Sequence, residues 1–363
     1  MLIFIVILLA AAAALQHWSL AHALDGIEHH YAPDCKLAEP DQPFQLVNTV
    51  TNRTRRFVPY VHVSQRIPDE MVLHEEGIDV SPPGRTNRYL AYSLYLMPRQ
   101  TWQRTIPVSL PSRGRYVFTG ATLQGGGFLG FSELTAYTDQ NEEIVVLPRP
   151  CTIPALTDTL GGFLGDRSVD RYILEDPVLT LGFREYTGRE PMKSISWTQS
   201  ARSGQLMVKK YDYTLELTAT VLLNVECERT EGWEERLETC FSMARTVCET
   251  LEDKRIPYRF VTNAGAAGAI SLWSQVSDGL GSGHLSTVLE GLGRSTYDPL
   301  RPFAHTLEQT TRNVEQGRTH ILITPDREIS WRYELSRLEQ LSGSPVLILT
   351  PEEANLQRIW SFF

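Results

Sequence analysis

FQLVNTVTN (44–52) and RYLAYSLYL (88–96) decide the architecture of the first half of this chain. Phe44, Leu46 and Val50 share one parity, as do Leu90, Leu94 and Leu96, so each set lines one face of an extended strand. Working outward, RTIPVSL (104–110), RGRYVFTGATL (113–123), GFLGFSELTAY (127–137) and EEIVVLP (142–148) are similar short runs rich in β-branched and aromatic residues. Pro, Gly, Asn and Asp punctuate them, as at Ser81-Pro82-Pro83-Gly84. This pattern predicts an all-β sandwich, immunoglobulin-like, over residues 25–150, although the Cys…Trp…Cys pattern of antibody domains is missing. Gly125-Gly126-Gly127 reads as a loop or bulge, because nothing after it starts a helix that could receive a phosphate.

Upstream, Met1 to Leu24 carries no charged residue, and Leu2 to Leu15 is continuously apolar. Residues 1–20 are long enough for a transmembrane helix, with Trp18 where an interfacial aromatic belongs; 1–24 is read as anchor and juxtamembrane segment. A cleaved signal peptide fits less well. Ala21-His22-Ala23 resembles a cleavage tripeptide, but the basic n-region is absent. A core helix would show a polar face, which this one lacks.

The whole chain of 363 residues has 34 basic against 43 acidic side chains, a net charge of −9. That excess argues against a nucleic-acid partner, which requires a basic domain or stripe, so no nucleic acid is expected. Five cysteines (Cys35, Cys151, Cys227, Cys240, Cys248) include no C-x-x-C pair. They fit a reducing compartment, so the body of the protein is expected in the cytoplasm. The nine histidines are scattered, and neither a zinc spacing nor a nucleophilic triad can be drawn; catalytic residues and an enzymatic activity are not expected.

After a connector at 151–180, FREYTGREPMKSISWTQSARSGQLMVKKYD (183–212) gathers six basic residues around Trp197. Beyond it, LELTATVLLNV (215–225), PYRFVTN (257–263), HILITP (320–325) and PVLILTP (345–351) read as buried strands. A helical stripe runs from Trp233 to Lys254, and HLSTVLEGLG, LRPFAHTLEQTTRNV and the stretch 330–341 read as further helices. Strands alternating with helices predict an α/β, doubly wound domain over 181–363.

The order Arg-Glu-Tyr, Gly, Ile-x-Trp, Ser-Ala-Arg, Leu-x-Val within 183–212 resembles the signature of the domain of unknown function 58 family. The resemblance implies a membrane-anchored protein with a von Willebrand factor A-like C-terminal domain. It also implies a companion role to MoxR-type AAA+ ATPases, as a non-enzymatic adaptor in maturation or assembly at the membrane. Where most members of that family have an aspartate after the glycine, this chain has Arg189-Glu190.

Two sets of site residues follow. Arg184, Glu185, Tyr186, Trp197, Ser200 and Arg202 form a candidate partner-binding surface, since arginine and aromatics dominate binding hot spots. The competing reading is a hairpin with Trp197 buried and Arg202 paired to Glu185 or Glu190. The second set lies at strand ends, where parallel sheets place ligands. The resemblance implies an Asp-x-Ser-x-Ser magnesium site after the first strand. Here Asn224 replaces the aspartate, and Glu226 and Glu228 stand at the serine positions, with Asp326 after a later strand. The expectation is a degenerate site without metal. The alternative is a divalent-metal-dependent binding protein or hydrolase using Glu226, Glu228 and Asp326, with magnesium as the cofactor. A third reading is a structural cell-envelope protein with an extracytoplasmic body. Asn263 to Gly268 lacks both the dinucleotide and the Walker glycine spacings.

Overall fold

The computed structural model describes residues 2–75, 79–80, 88–127, 132–151, 176–188, 192, 195–212, 217–268, 274–326 and 331–351. The chain divides into two units, 1–149 with 289–295, and 150–288 with 296–363.

The first unit opens with helix α1 (Leu2–Ala21). It is apolar on every side, with Ile3, Phe4, Val6, Ile7 and Leu8 all exposed. Among the described residues it is the one helix long and apolar enough to cross a membrane, a test that an N-terminal signal sequence also passes.

Twelve strands follow among the described residues: β1 (Ile27–Pro33), β2 (Leu37–Ala38), β3 (Phe44–Asn52), β4 (Val58–Ile67), β5 (Val72–Leu73), β6 (Asp79–Val80), β7 (Arg88–Leu96), β8 (Thr101–Ser109), β9 (Gly114–Thr119), β10 (Ala121–Gly126), β11 (Glu133–Tyr137) and β12 (Asn141–Val146). They form sheets ordered β1-β3-β8-β5, β11-β10-β4-β7-β6 and β2-β12-β9, a β-sandwich. In β3 burial alternates strictly, with Phe44, Leu46, Asn48, Val50 and Asn52 inward. One core cluster gathers Tyr31, Phe44, Leu46, Ile106, Phe118 and Ile144, and another Val50, Val58, Val61, Val63, Leu96 and Leu123. Each such side chain contributes about 1.5–3 kcal/mol through apolar surface removed from water.

The glycine run is not the expected loop. Gly125 and Gly126 end β10, where Ala23 and Leu24, just after α1, lie against Gly125 and the Tyr60 ring lies against Gly126. A Cβ on Gly125 would stand 2.7 Å from Leu24, and one on Gly127 would stand 2.6 Å from the Gln16 amide.

Beyond residue 149 the described chain contains β13 (Asp176–Glu185), α2 (Trp197–Ser203), β14 (Met207–Asp212), β15 (Ala219–Leu223), α3 (Trp233–Asp253), β16 (Tyr258–Thr262), β17 (Ala264–Ala266), β18 (Gln275–Gly279), α4 (Ser282–Arg294), β19 (Ser295–Pro299), α5 (Phe303–Arg312), β20 (Thr319–Ile323), α6 (Arg332–Ser342) and β21 (Val346–Leu349), of which the end of α4 and the start of β19 belong to the first unit and the rest to the second. β15, β16, β20 and β21 pair in parallel, and β18 joins the edge antiparallel, in the order β18-β16-β15-β20-β21. Helix α3 buries Leu237, Cys240, Phe241, Ala244, Val247, Cys248 and Leu251, one stripe at helical spacing. Phe303 and Leu307 of α5, with Trp331, Leu335 and Leu338, pack onto Leu222 and Leu322.

The expectation of an α/β doubly wound, von Willebrand factor A-like domain following the sandwich is overturned. The described chain is mainly β, with 21 strands against six helices. The signature segment forms an antiparallel ribbon, β13 with β14, and β17 pairs with β19 in a separate two-stranded sheet. The five-stranded sheet is mixed. A continuous apolar run marks a strand buried on both faces but says nothing about its neighbours. The β13–β14 ribbon is the hairpin of the competing reading, whereas the short β17 and β19 carry no strand period in their sequence. The connector segment LGGFLGDRS, with Arg189, Glu190 and Lys193, lies outside the described residues.

Candidate functional site

The carboxyl ends of β15, β16 and β20 bring together Asn224, Asn263 and Thr324. Asn224 is 2% exposed, and its amide is fully used. Its Oδ1 accepts from the Glu226 amide (2.9 Å) and from Asn263 Nδ2 (3.1 Å). Its Nδ2 donates to Thr324 Oγ1 (3.2 Å) and to the Glu226 carbonyl (3.3 Å). Asn263 Oδ1 takes the Val225 N–H at 2.9 Å, and the Thr324 hydroxyl donates to the Asp326 carbonyl at 3.2 Å. Two donors and two acceptors are the whole capacity of a side-chain amide, so Asn224 suits this position and an aspartate would not.

Two of the three carboxylates named as alternative ligands are engaged elsewhere. Glu226 Oε2 accepts the Phe303 N–H at 2.8 Å, capping α5 at the positive end of its dipole, where Pro302 offers no side-chain cap. Asp326 lies 3.7 Å from Arg236 Nε on the first turn of α3. The same guanidinium donates to Thr230 Oγ1 at 2.9 Å. The Glu228 side chain is exposed. A guanidinium thus faces the Asp326 carboxylate. No cluster of three or more His, Cys, Asp or Glu suited to a metal occurs among the described residues.

Cys227, half-buried beside this network, is the nearest nucleophile. Burial raises its thiol pKa, and Asp326 adds to the rise while Arg236 and Arg229 oppose it. It is held as a thiol, a poor nucleophile. Around the rim, Arg229 lies over the Trp233 ring at 5.0 Å and pairs with Asp298. Tyr297 packs edge-on against Trp233 at 5.6 Å and donates to Glu238 at 2.7 Å. These groups were not anticipated from sequence, since they meet only through the fold. Ala264–Ala266, inside the glycine-rich turn, is strand and not phosphate loop. A small cleft lined by Arg259, Ser274, Arg301 and Thr306 encloses about 10 Å³, room for one water.

The second predicted set is gathered on one unit, the β13–α2–β14 ribbon. Arg184 pairs in register with Val208, and Glu185 with Met207. Tyr186 N–H donates to the Leu206 carbonyl at 2.8 Å. The Ser200 hydroxyl donates to the Ser196 carbonyl (2.8 Å) and accepts the Met207 N–H (2.8 Å), pinning α2 to the strand. Ile195 and Val208 are buried beneath. Trp197 is 61% exposed, which overturns the buried-tryptophan reading. Phe183, Met192 and Leu206 are exposed too, as are the Arg184, Glu185 and Arg202 side chains.

No family model matches the chain, and no curated protein does. Among solved structures, it is similar to a cohesin module from a Clostridium perfringens family 33 glycoside hydrolase, at 13% identity and a TM-score of 0.24, over 33% of this chain and 96% of the module. It is similar to the CARDB domain of a Pyrococcus furiosus protein solved with di-metal ions (14%, TM-score 0.21, 33% of this chain and 85% of that one). A third is Escherichia coli alpha-2-macroglobulin in its native conformation (17%, TM-score 0.25), where 35% of this chain aligns with 7% of that one.

Proposed function

We propose that this chain is a membrane-anchored, non-enzymatic interaction protein that grips its partner through the β13–α2–β14 ribbon. The observation that carries the reading is the exposure of Trp197 among Phe183, Met192 and Leu206, flanked by exposed Arg184 and Arg202. Exposed large apolar groups gathered with arginine on one small element are the composition of a binding hot spot. The apolar α1 supports the anchor. Five free thiols, with Cys240 and Cys248 buried in α3, support a body on the reducing, cytoplasmic side. The partner class implied by the signature is a MoxR-type AAA+ ATPase, with the chain as its adaptor at the membrane.

The test is affinity recovery of the full-length chain from detergent-solubilised membranes, with and without ATP, followed by mass spectrometry. Nucleotide-dependent recovery of an AAA+ ATPase, lost in Trp197→Ala/Arg202→Ala, is the expected result. Both side chains are exposed, so the double variant should keep the wild-type melting transition. Equal recovery by the wild type and the variant would overturn the assignment of the ribbon.

A further inference from the structure

The end of the sandwich from which α1 emerges carries a second surface. Two loops meet there, 53–57 between β3 and β4 and 97–100 between β7 and β8. Buried Asn52 ties them together: its Nδ2 donates to the Arg56 carbonyl (2.8 Å) and to the Met97 carbonyl (3.0 Å), while its Oδ1 accepts the Thr54 N–H (3.0 Å). The Arg99 N–H closes the pair on the Thr54 carbonyl at 2.9 Å. Arg99 holds a left-handed φ of 57°, uncommon for a residue with a side chain.

This stitched end displays Phe57, Tyr95 and Met97 to solvent, with the Phe57 and Tyr95 rings 6.3 Å apart. Four arginines surround them. Arg53 pairs with Glu28 at 2.9 Å and Arg56 with Asp25 at 3.2 Å, both at the surface, where such pairs exchange readily. Arg55 and Arg99 are exposed and make no ion pair among the described residues. Arg56 also lies over the half-exposed Trp18 ring at 5.7 Å, joining the loop to the last turn of α1.

The path of α1 decides what covers this face. Gln16 packs against Gly127 of the sandwich, and the apolar, largely exposed stretch Leu2 to Leu15 leaves the body from there. A bilayer that takes up this stretch lies against the end it leaves. Aromatics, methionine and arginines without an ion pair among the described residues then lie where headgroups are.

We propose that this end of the sandwich docks on a bilayer surface bearing anionic phospholipid, with Arg55 and Arg99 on phosphates and Phe57, Tyr95 and Met97 in the interface. The proposal rests on the anchor part of the function above, but not on the ribbon or its partner. Hydrogen exchange of the full-length chain tests it, in nanodiscs of phosphatidylcholine alone, in nanodiscs with about one-third phosphatidylglycerol, and in neutral detergent. Slower exchange at 53–57 and 97–100 in the anionic discs supports it. Each arginine near such a surface is worth about fivefold, so Arg55→Glu/Arg99→Glu should reduce that protection by about 30-fold or more, with α1 still inserted. Equal exchange in anionic discs and detergent, with an intact N-terminus and α1 resistant to alkaline extraction, overturns the docking and leaves the anchor standing. Cleavage after Ala23, read from the intact mass, overturns both. Protection that appears only with a co-purified protein also overturns the proposal and assigns the face to that protein.

Discussion

Replacing Asn224 by aspartate restores the residue that the metal-site resemblance requires, yet the structure predicts damage. The carboxylate would be 2% exposed. It would keep the N–H groups of Glu226 and Asn263 as donors but place an oxygen 3.3 Å from the Glu226 carbonyl, where Nδ2 now donates. Burying the charge costs several kcal/mol, and the two retained charge-assisted hydrogen bonds offset only part of it. The net expectation is a loss of about 2–4 kcal/mol. Urea unfolding of the full chain in detergent micelles, followed through tryptophan fluorescence, should show a midpoint lower by roughly 1 M. The sign with pH is also set. Burial raises the carboxyl pKa in the folded state, so the deficit relative to wild type grows as pH rises above about 4 and shrinks on acidification. Added magnesium should not move the midpoint of either protein. An unchanged midpoint in Asn224→Asp, or a magnesium-dependent rise, would refute the reasoning and revive a metal site at Glu226 and Asp326.

Two further outcomes follow from the sandwich. His29 is 5% exposed, and burial, with His30 adding, lowers its pKa from 6.5 to about 4. The unfolded chain binds this proton first, so stability is full above pH 6.5 and falls by about 3 kcal/mol toward pH 4; His29→Gln should flatten that decline in urea titrations. Gln65 is fully buried, and neither side-chain polar atom finds a partner among the described residues. Gln65→Met, of similar volume, should raise the unfolding free energy by about 1–2 kcal/mol, and a lowered value would show that the amide is satisfied in solution.

What sequence alone determined are the features that local period expresses. The parity of Phe44, Leu46 and Val50 placed them on the inner face of β3, and the unbroken run from Leu2 to Leu15 identified an all-round apolar helix. The stripe from Trp233 to Leu251 likewise follows from a spacing that needs no knowledge of neighbours. The fold class of the second unit did not follow, because apolar strands do not declare their partners, and the ribbons β13–β14 and β17–β19 change what that unit is. Asn224, Glu226 and Asp326 could be read as strand-end positions of a degenerate site, but their hydrogen-bond partners could not. Asn263, Thr324, Arg236 and Phe303, which make that place a closed network and a helix cap, lie 12 to 100 positions away from Asn224 along the chain. Arg55 and Arg99 likewise share a surface only because Asn52 joins their loops. Hydrophobic period is written residue by residue along the backbone. Hydrogen-bond partners and shared surfaces arise only when distant segments are brought within about 3 Å, and that is decided by the tertiary structure.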